Sequence, residues 1–84
     1  MDDNVAIIEG VYDLVLAGVP TSLHRWGRVV WLRNIEVGLS GQLLFVQDGE
    51  LRMTSLSCIS NIIKTKEYFE IHTQTSLYKL RFLL

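Results

Sequence analysis

The segment from Tyr68 to Leu84 admits a single self-consistent pairing, and this constrains the fold more than any other feature of the chain. A tight turn at Gln74-Thr75 sets Ile71 opposite Tyr78 and Phe69 opposite Leu80 on one face, with Glu70 opposite Lys79 and Tyr68 opposite Arg81 on the other. A slip of one residue breaks every one of these matches. The C-terminal part is therefore expected to be a hairpin with an apolar face and a charge-paired face.

A second hairpin is signalled by Asp48-Gly49, which separates Gln42-Leu43-Leu44-Phe45-Val46-Gln47 from Glu50-Leu51-Arg52-Met53-Thr54. Aspartate followed by glycine suits a primed turn, in which the backbone must reach positive φ. The register that results sets Val46 against Leu51 and Leu44 against Met53, with Phe45 against Arg52 and Leu43 against Thr54 on the reverse face. The first strand of this hairpin is apolar on both sides and needs cover on both.

From Asn4 to Ala17 the apolar residues follow a helical period. At 100° per residue Leu14, Ile7, Val11, Val15, Ile8, Tyr12, Val5 and Leu16 fill one broad arc, and Glu9, Asp13, Ala6 and Gly10 share the remainder. Taken as a flat strand, the same residues mix Glu9 and Asp13 with Val5, Ile7 and Val11. A helix is expected, capped by Asp2, Asp3 or Asn4 and stopped by Gly18 and Pro20. Gly10 and the many β-branched residues weaken it, by about 1–2 kcal/mol of intrinsic propensity, so packing must hold it.

Residues 18–27 are expected to be loop, with at most a single helical turn at Thr21 to Gly27. A strand follows over Arg28 to Val37, with Val29 and Trp31 on one side, Val30 and Leu32 on the other, and a bulge near Arg33-Asn34. Ser55 to Lys66 suits either a helical turn, through Leu56, Ile59, Ile62 and Ile63, or a strand leading into the last hairpin, and the strand is favoured. The expected fold is α+β in a single domain spanning residues 1–84: an N-terminal amphipathic helix at about residues 4–17, packed on a bent antiparallel sheet or small open barrel. That sheet has about five strands within residues 28–84 and ends in an unpaired edge.

Composition bears on what such a domain does. A chain of 84 residues buries only about 60–65 % of its unfolded surface, yet this one is 49 % hydrophobic and 20 % charged. The surplus predicts a homodimer, with Leu43, Phe45, Leu77 and Leu83 at the interface because they stand on faces that should otherwise be polar. A net charge of −1 gives no long-range pull toward nucleic acid or anionic lipid. The single cysteine, Cys58, excludes an internal disulfide framework and suggests a reducing compartment. The start Met1-Asp2-Asp3-Asn4 is unlike a secretory leader, and no apolar run approaches 18 residues; a cytoplasmic protein without membrane contact is expected.

No catalytic set converges by spacing. His24 and His72 stand apart from any metal-ligand pattern, and His72 reads as surface, so neither a metal nor a cofactor is expected. Cys58 carries no nucleophile motif and reads as a small core residue. Ser40, in Gly38-Leu39-Ser40-Gly41, lacks the spacing of a nucleophile elbow and reads as a turn. Glu9 and Asp13, one helical turn apart, fall on the wettest arc of the predicted helix.

One constellation stands out. His24-Arg25-Trp26-Gly27-Arg28-Val29-Val30-Trp31-Leu32-Arg33 holds three arginines, a histidine and both tryptophans, with no acid between Asp13 and Glu36. Arginine forks and indole faces anchor protein partners, grip phosphates and stack bases. His24, Arg25, Trp26, Arg28, Trp31 and Arg33 are thus the candidate binding residues. The leading expectation is a small non-catalytic binding or regulatory module acting through a protein interface. The alternative is a small-molecule or lipid pocket at the mouth of the barrel. Single-stranded nucleic acid binding on the same surface is disfavoured by the negative net charge.

Overall fold

The computed structural model describes residues 5–83. Seven strands are present: β1 (Val5–Asp13), β2 (Val19–Pro20), β3 (Val29–Arg33), β4 (Ser40–Gln47), β5 (Glu50–Lys64), β6 (Tyr68–Thr73) and β7 (Ser76–Phe82). A 3₁₀ turn at Leu23–Arg25 is the sole helical element among the described residues. Successive strands pair antiparallel in the order β2-β1-β3-β4-β5-β6-β7, and β1 also pairs with β7. The sheet therefore closes on itself as a six-stranded antiparallel barrel, with the short β2 attached to the end of β1. The expected α+β fold with an open sheet is replaced by an all-β closed one, and β7 is not a free edge, since it pairs with both β6 and β1.

Where the N-terminal helix was expected, β1 runs as a strand; Asn4 and the proposed caps Asp2 and Asp3 lie outside the described residues. The reason is a β-bulge. Ile8 pairs with Leu80 and Gly10 with Lys79, so Glu9 is an extra residue in the ladder. Ala6 and Ile8 point into the barrel before the bulge, and Val11 points into it afterwards. The inward spacing thus changes from two to three, which imitates a helical period and hides the strand alternation. The bulge also leaves Glu9 outside, where its carboxylate accepts a hydrogen bond from Arg81 on β7. That bond, followed by the Coulombic effect of Glu9, raises the Arg81 guanidinium above its ordinary pKa.

The two hairpins form as the turn chemistry requires. Asp48 and Gly49 both have positive φ, at 52° and 78°, and the pairings Val46 with Leu51, Leu44 with Met53, Phe45 with Arg52 and Leu43 with Thr54 are all present. In the last hairpin Ile71 pairs with Tyr78, Phe69 with Leu80, Glu70 with Lys79 and Tyr68 with Arg81. Buried Thr73 fixes that turn, its Oγ1 accepting from the backbone N–H of Ser76 at 3.0 Å and donating to the Ser76 carbonyl at 3.2 Å.

Strand β5 contains 15 residues, which would reach roughly 50 Å if straight, whereas the longest extent of the molecule is 34 Å. It must bend. Its first half pairs with β4 and its second with β6, and the register shifts once in each half. These irregularities leave Leu56, Ile59 and Ile62 as the inward or half-buried positions at intervals of three. That interval is what made Ser55 to Lys66 resemble a helical turn; the segment is strand as far as Lys64.

The core is a single cluster inside the barrel, with Ile8, Val11, Val30, Leu43, Ile59, Ile71 and Leu80 almost wholly buried. Gly41 makes room within it, since a Cβ there would lie 2.6 Å from Ile35 Cδ1, 3.0 Å from Ile59 Cδ1 and 3.2 Å from the Asn34 carbonyl oxygen. Gly41→Ala is expected to destabilise the fold by about 1–3 kcal/mol through overpacking. Ile8→Ala is expected to cost about 2–5 kcal/mol and its half-buried neighbour Ile7→Ala markedly less; urea unfolding of the three variants measures both effects, and equal costs at Ile7 and Ile8 would contradict the inward assignment.

Candidate functional site

The structure divides the arginine and tryptophan segment between two surfaces. Residues Thr21 to Arg28 run along β1 between its pairings with β2 and β3 and are stapled to it: Thr21 N–H donates to the Val11 carbonyl at 2.9 Å, Gly27 N–H to the Ile8 carbonyl at 2.6 Å, and Ile8 N–H to the Arg28 carbonyl at 3.0 Å. Trp26 lies half-buried on this crossing, its indole N–H donating to the Thr21 carbonyl at 3.0 Å and its ring 5.7 Å from that of Tyr12. It is a packing residue. Arg25 and Arg28 stand at the barrel mouth, where the Arg28 guanidinium carbon lies 4.4 Å above the Phe45 ring. His24 is exposed on the 3₁₀ turn.

Beyond Arg28 the alternation of β3 is the reverse of what an apolar-inward tryptophan would give. Val30 is buried and Leu32 half-buried, whereas Val29, Trp31 and Arg33 point outward. Trp31 is 42 % exposed, which for so large a side chain leaves much of the indole in solvent. Its neighbours on both sides are apolar. Trp31 pairs with Val5 on β1 and with Leu44 on β4, Ile7 pairs with Val29, Leu44 pairs with Met53 on β5, and Val46 pairs with Leu51. Val46, Leu51 and Met53 are all more than half exposed. The outer face of four adjacent strands thus carries a continuous apolar patch centred on Trp31 and Leu44.

The residues expected at an interface separate in the same way. Leu43 and Phe45 are buried and belong to the core; the exposed apolar face of β4 is the opposite one, Leu44 and Val46. Leu77 is half-buried on the outside of β7 opposite Tyr12, and Leu83 is partly exposed after β7, its N–H donating to the Val5 carbonyl. Cys58 is exposed on β5 rather than in the core. His72 Nε2 lies 3.3 Å from Glu70 Oε1 on the outer face of the last hairpin. Among the described residues, no three His, Cys, Asp or Glu side chains are grouped to hold a metal ion.

A further apolar surface was not singled out in the sequence. Where the helix was expected to end, the chain makes a tight turn after β1, and Val15 and Leu16 stand exposed at its tip. Asp13 holds the turn, its Oδ1 accepting from the N–H groups of Val15 at 2.9 Å and Leu16 at 3.2 Å, while Ala17 and Gly18 both take positive φ.

The barrel mouth leaves little room. Its cleft, lined by Ile8, Arg25, Arg28, Val30, Leu43, Phe45 and Thr54, has a volume of about 10 Å³, far below the roughly 300–1,000 Å³ of a small-molecule pocket. A shallow depression of about 260 Å³ lies between Lys66, Glu67, Arg81 and Phe82. No helix among the described residues is long and apolar enough to cross a membrane. Comparison of the chain with protein-family models, with curated proteins and with solved structures returned no match.

The Asp13 turn supplies a local test. Asp13→Ala removes the acceptor of two backbone N–H groups and is expected to cost about 1 kcal/mol, while accelerating amide exchange at Val15 and Leu16 beyond the roughly fivefold rise that the same loss of global stability gives at Ile71 and Leu80. Unaltered exchange at Val15 would show that the carboxylate does not hold the turn.

Proposed function

We propose that the protein is a small non-catalytic binding module that works by self-association through the outer face of β1, β3, β4 and β5. The observation that carries this reading is the pairing of Trp31 with Val5 and Leu44, which sets Val29, Trp31, Leu44, Val46, Leu51 and Met53 side by side on a face that no other part of the described chain covers. At strand spacings of ~4.8 Å and ~7 Å between outward residues the patch spans roughly 20 by 14 Å, the size of the apolar centre of a standard interface with its polar rim left over. An exposed tryptophan at the centre of such a patch is the side chain most often found to dominate binding energy.

A second copy of the same chain suits this face better than a charged partner. The patch itself holds no ionisable group. Arg33 lies at one end of it, on β3 beside Gln42. A copy related by a two-fold axis lying across the strands lets the apolar centre meet itself and keeps the two Arg33 ends apart. Because the sheet is closed, such an interface forms face to face.

Sedimentation equilibrium tests the proposal. The parent protein is expected to be a dimer at tens of micromolar, and Trp31→Ser and Val46→Lys each to be monomeric with thermal stability close to that of a parent monomer, since both side chains point outward. In a Trp26→Phe background, Trp31 is the sole tryptophan, and its quenching by acrylamide should fall as concentration rises. A parent that stays monomeric throughout, or variants that still dimerise, would overturn the proposal.

A further inference from the structure

We propose that the tip of the turn after β1, Leu14 to Val19, inserts into the surface of a lipid bilayer that carries anionic headgroups, with Arg25 behind it at headgroup level. The chain passes beyond the pairs Asp13 with Val19 and Asp13 with Ser76, where the ladders of β1 end, and returns through Ala17 and Gly18, both at positive φ. Leu14, Val15, Leu16 and Val19 are all exposed there, Val15 at 70 % and Leu16 at 62 %. The tip is separate from the self-association face, which uses outward residues of β1, β3, β4 and β5, and it functions whether or not the chain self-associates.

The backbone of the tip is satisfied from within. Of the six N–H groups from Leu14 to Val19, five have an acceptor in the chain. Leu14 donates to the Thr75 carbonyl at 2.8 Å, Gly18 to the Asp13 carbonyl at 2.8 Å and Val19 to the Leu16 carbonyl at 3.3 Å. Val15 and Leu16 donate to Asp13 Oδ1 at 2.9 and 3.2 Å. Pro20, next in the chain, has no N–H to satisfy. Water would serve these donors without cost, so a turn that stays in solvent has no need of internal acceptors. Hydrocarbon offers none, and a bare N–H is expensive there. A protein partner could supply carbonyls of its own, whereas acyl chains cannot.

Shape points the same way. A partner chain needs roughly 800 Å² on each side of a stable interface, and a tip this small, projecting past the last ladder pairs, does not present that area. A Cβ added at Gly18 would meet nothing within 4 Å, so the crest is not flanked. The boundary between headgroups and acyl chains accommodates such a turn as it does the apolar face of an interfacial helix.

Charge sets the kind of lipid. No acidic residue stands between Asp13 and Glu36, and the Asp13 carboxylate is engaged beneath the tip by its two hydrogen bonds. Thr21 N–H donates to the carbonyl of Val11, two residues below Asp13, and the 3₁₀ turn with His24 and Arg25 follows directly. Two residues of strand span roughly 7 Å, which puts that turn at the headgroups when the tip lies about 5–10 Å deep. The neighbouring β6–β7 turn, Gln74-Thr75, is uncharged. Asp48 and Glu50 belong to the β4–β5 hairpin, with β3 between them and β1, and Glu50 lies 3.7 Å from Arg52. Net charge and the lack of a long apolar run suggest no membrane contact, but neither reports on an apolar tip at a locally basic corner.

Flotation of the full chain with vesicles tests the site. Saturable binding is expected to phosphatidylcholine vesicles containing about 30 % phosphatidylserine, falling as salt rises and at least about fivefold weaker on pure phosphatidylcholine. The double variant Val15→Ser, Leu16→Ser should bind at least about tenfold more weakly through lost apolar burial, and Arg25→Gln about fivefold more weakly. Val37→Ser, at a similarly exposed valine between β3 and β4, should leave binding unchanged. Because both tip side chains are exposed, the double variant should match the parent in melting and in sedimentation. Absence of vesicle binding, binding that the double variant retains, or an equal loss in Val37→Ser would overturn the proposal. A double variant that changes the association state would mark the tip as a contact between copies of the chain and would overturn it as well.

Discussion

The pairing of β1 with β7 closes the sheet, and the rest of the structure depends on that closure. It runs from Ala6 opposite Phe82 to Asp13 opposite Ser76, the full usable length of both strands. A six-stranded ring has a narrow interior, so each strand sends inward only side chains that fit: Ala6, Ile8 and Val11 from β1, and Tyr78 and Leu80 from β7. The bulge at Glu9 bends β1 between its two partners on one side, so that its first half pairs with β3 and its second half with β2. Closure removes the sheet edge that the chain would otherwise expose, and it fixes how much apolar surface the interior can take.

The proposed self-association surface follows from that limit. A narrow barrel has no place for Trp31, Leu44, Val46, Leu51 and Met53 once Leu43, Phe45, Val30 and Leu56 occupy the inside, so the surplus of apolar residues appears as a patch on the outer wall instead of as a larger core. At the mouth the ring of strands ends in solvent, and the Phe45 ring would be open to water there. Arg28 covers it.

The parts of the fold that were legible in the sequence are those set by two-residue turns. Asp48-Gly49 and Gln74-Thr75 each determine a register, and every cross-strand pair expected from them is present. What could not be read was set by bulges. In β1 and again in β5 an extra residue changes the inward interval from two to three, and the polypeptide then carries the signature of a helix while building a ladder. The helix expected over residues 4–17 failed for that reason, although Gly10 and the density of β-branched residues already argued for a strand. The binding segment was legible as a composition, three arginines and two tryptophans without an acid, but not as a geometry. Trp26 packs, Trp31 is displayed, and Arg25 and Arg28 turn to the mouth while Arg33 does not.

The assignment of Leu43 and Phe45 to an interface shows where sequence reasoning lacks a term. On β4 both faces are equally oily, Leu43 and Phe45 against Leu44 and Val46, and hydrophobicity cannot choose between them. The choice is made by the neighbours. Trp31 is locked beside Leu44 and Leu32 beside Leu43, so placing Leu44 inside would also place Trp31 inside, and a ring of six strands cannot close around an indole together with Phe69, Ile71 and Leu80. Gly41 settles the other end, because on the inward face it gives up its side-chain space to Ile35 and Ile59. The steric demand of one tryptophan thus selects which face of the next strand is core, and the face so rejected keeps an apolar character that the folded monomer does not use.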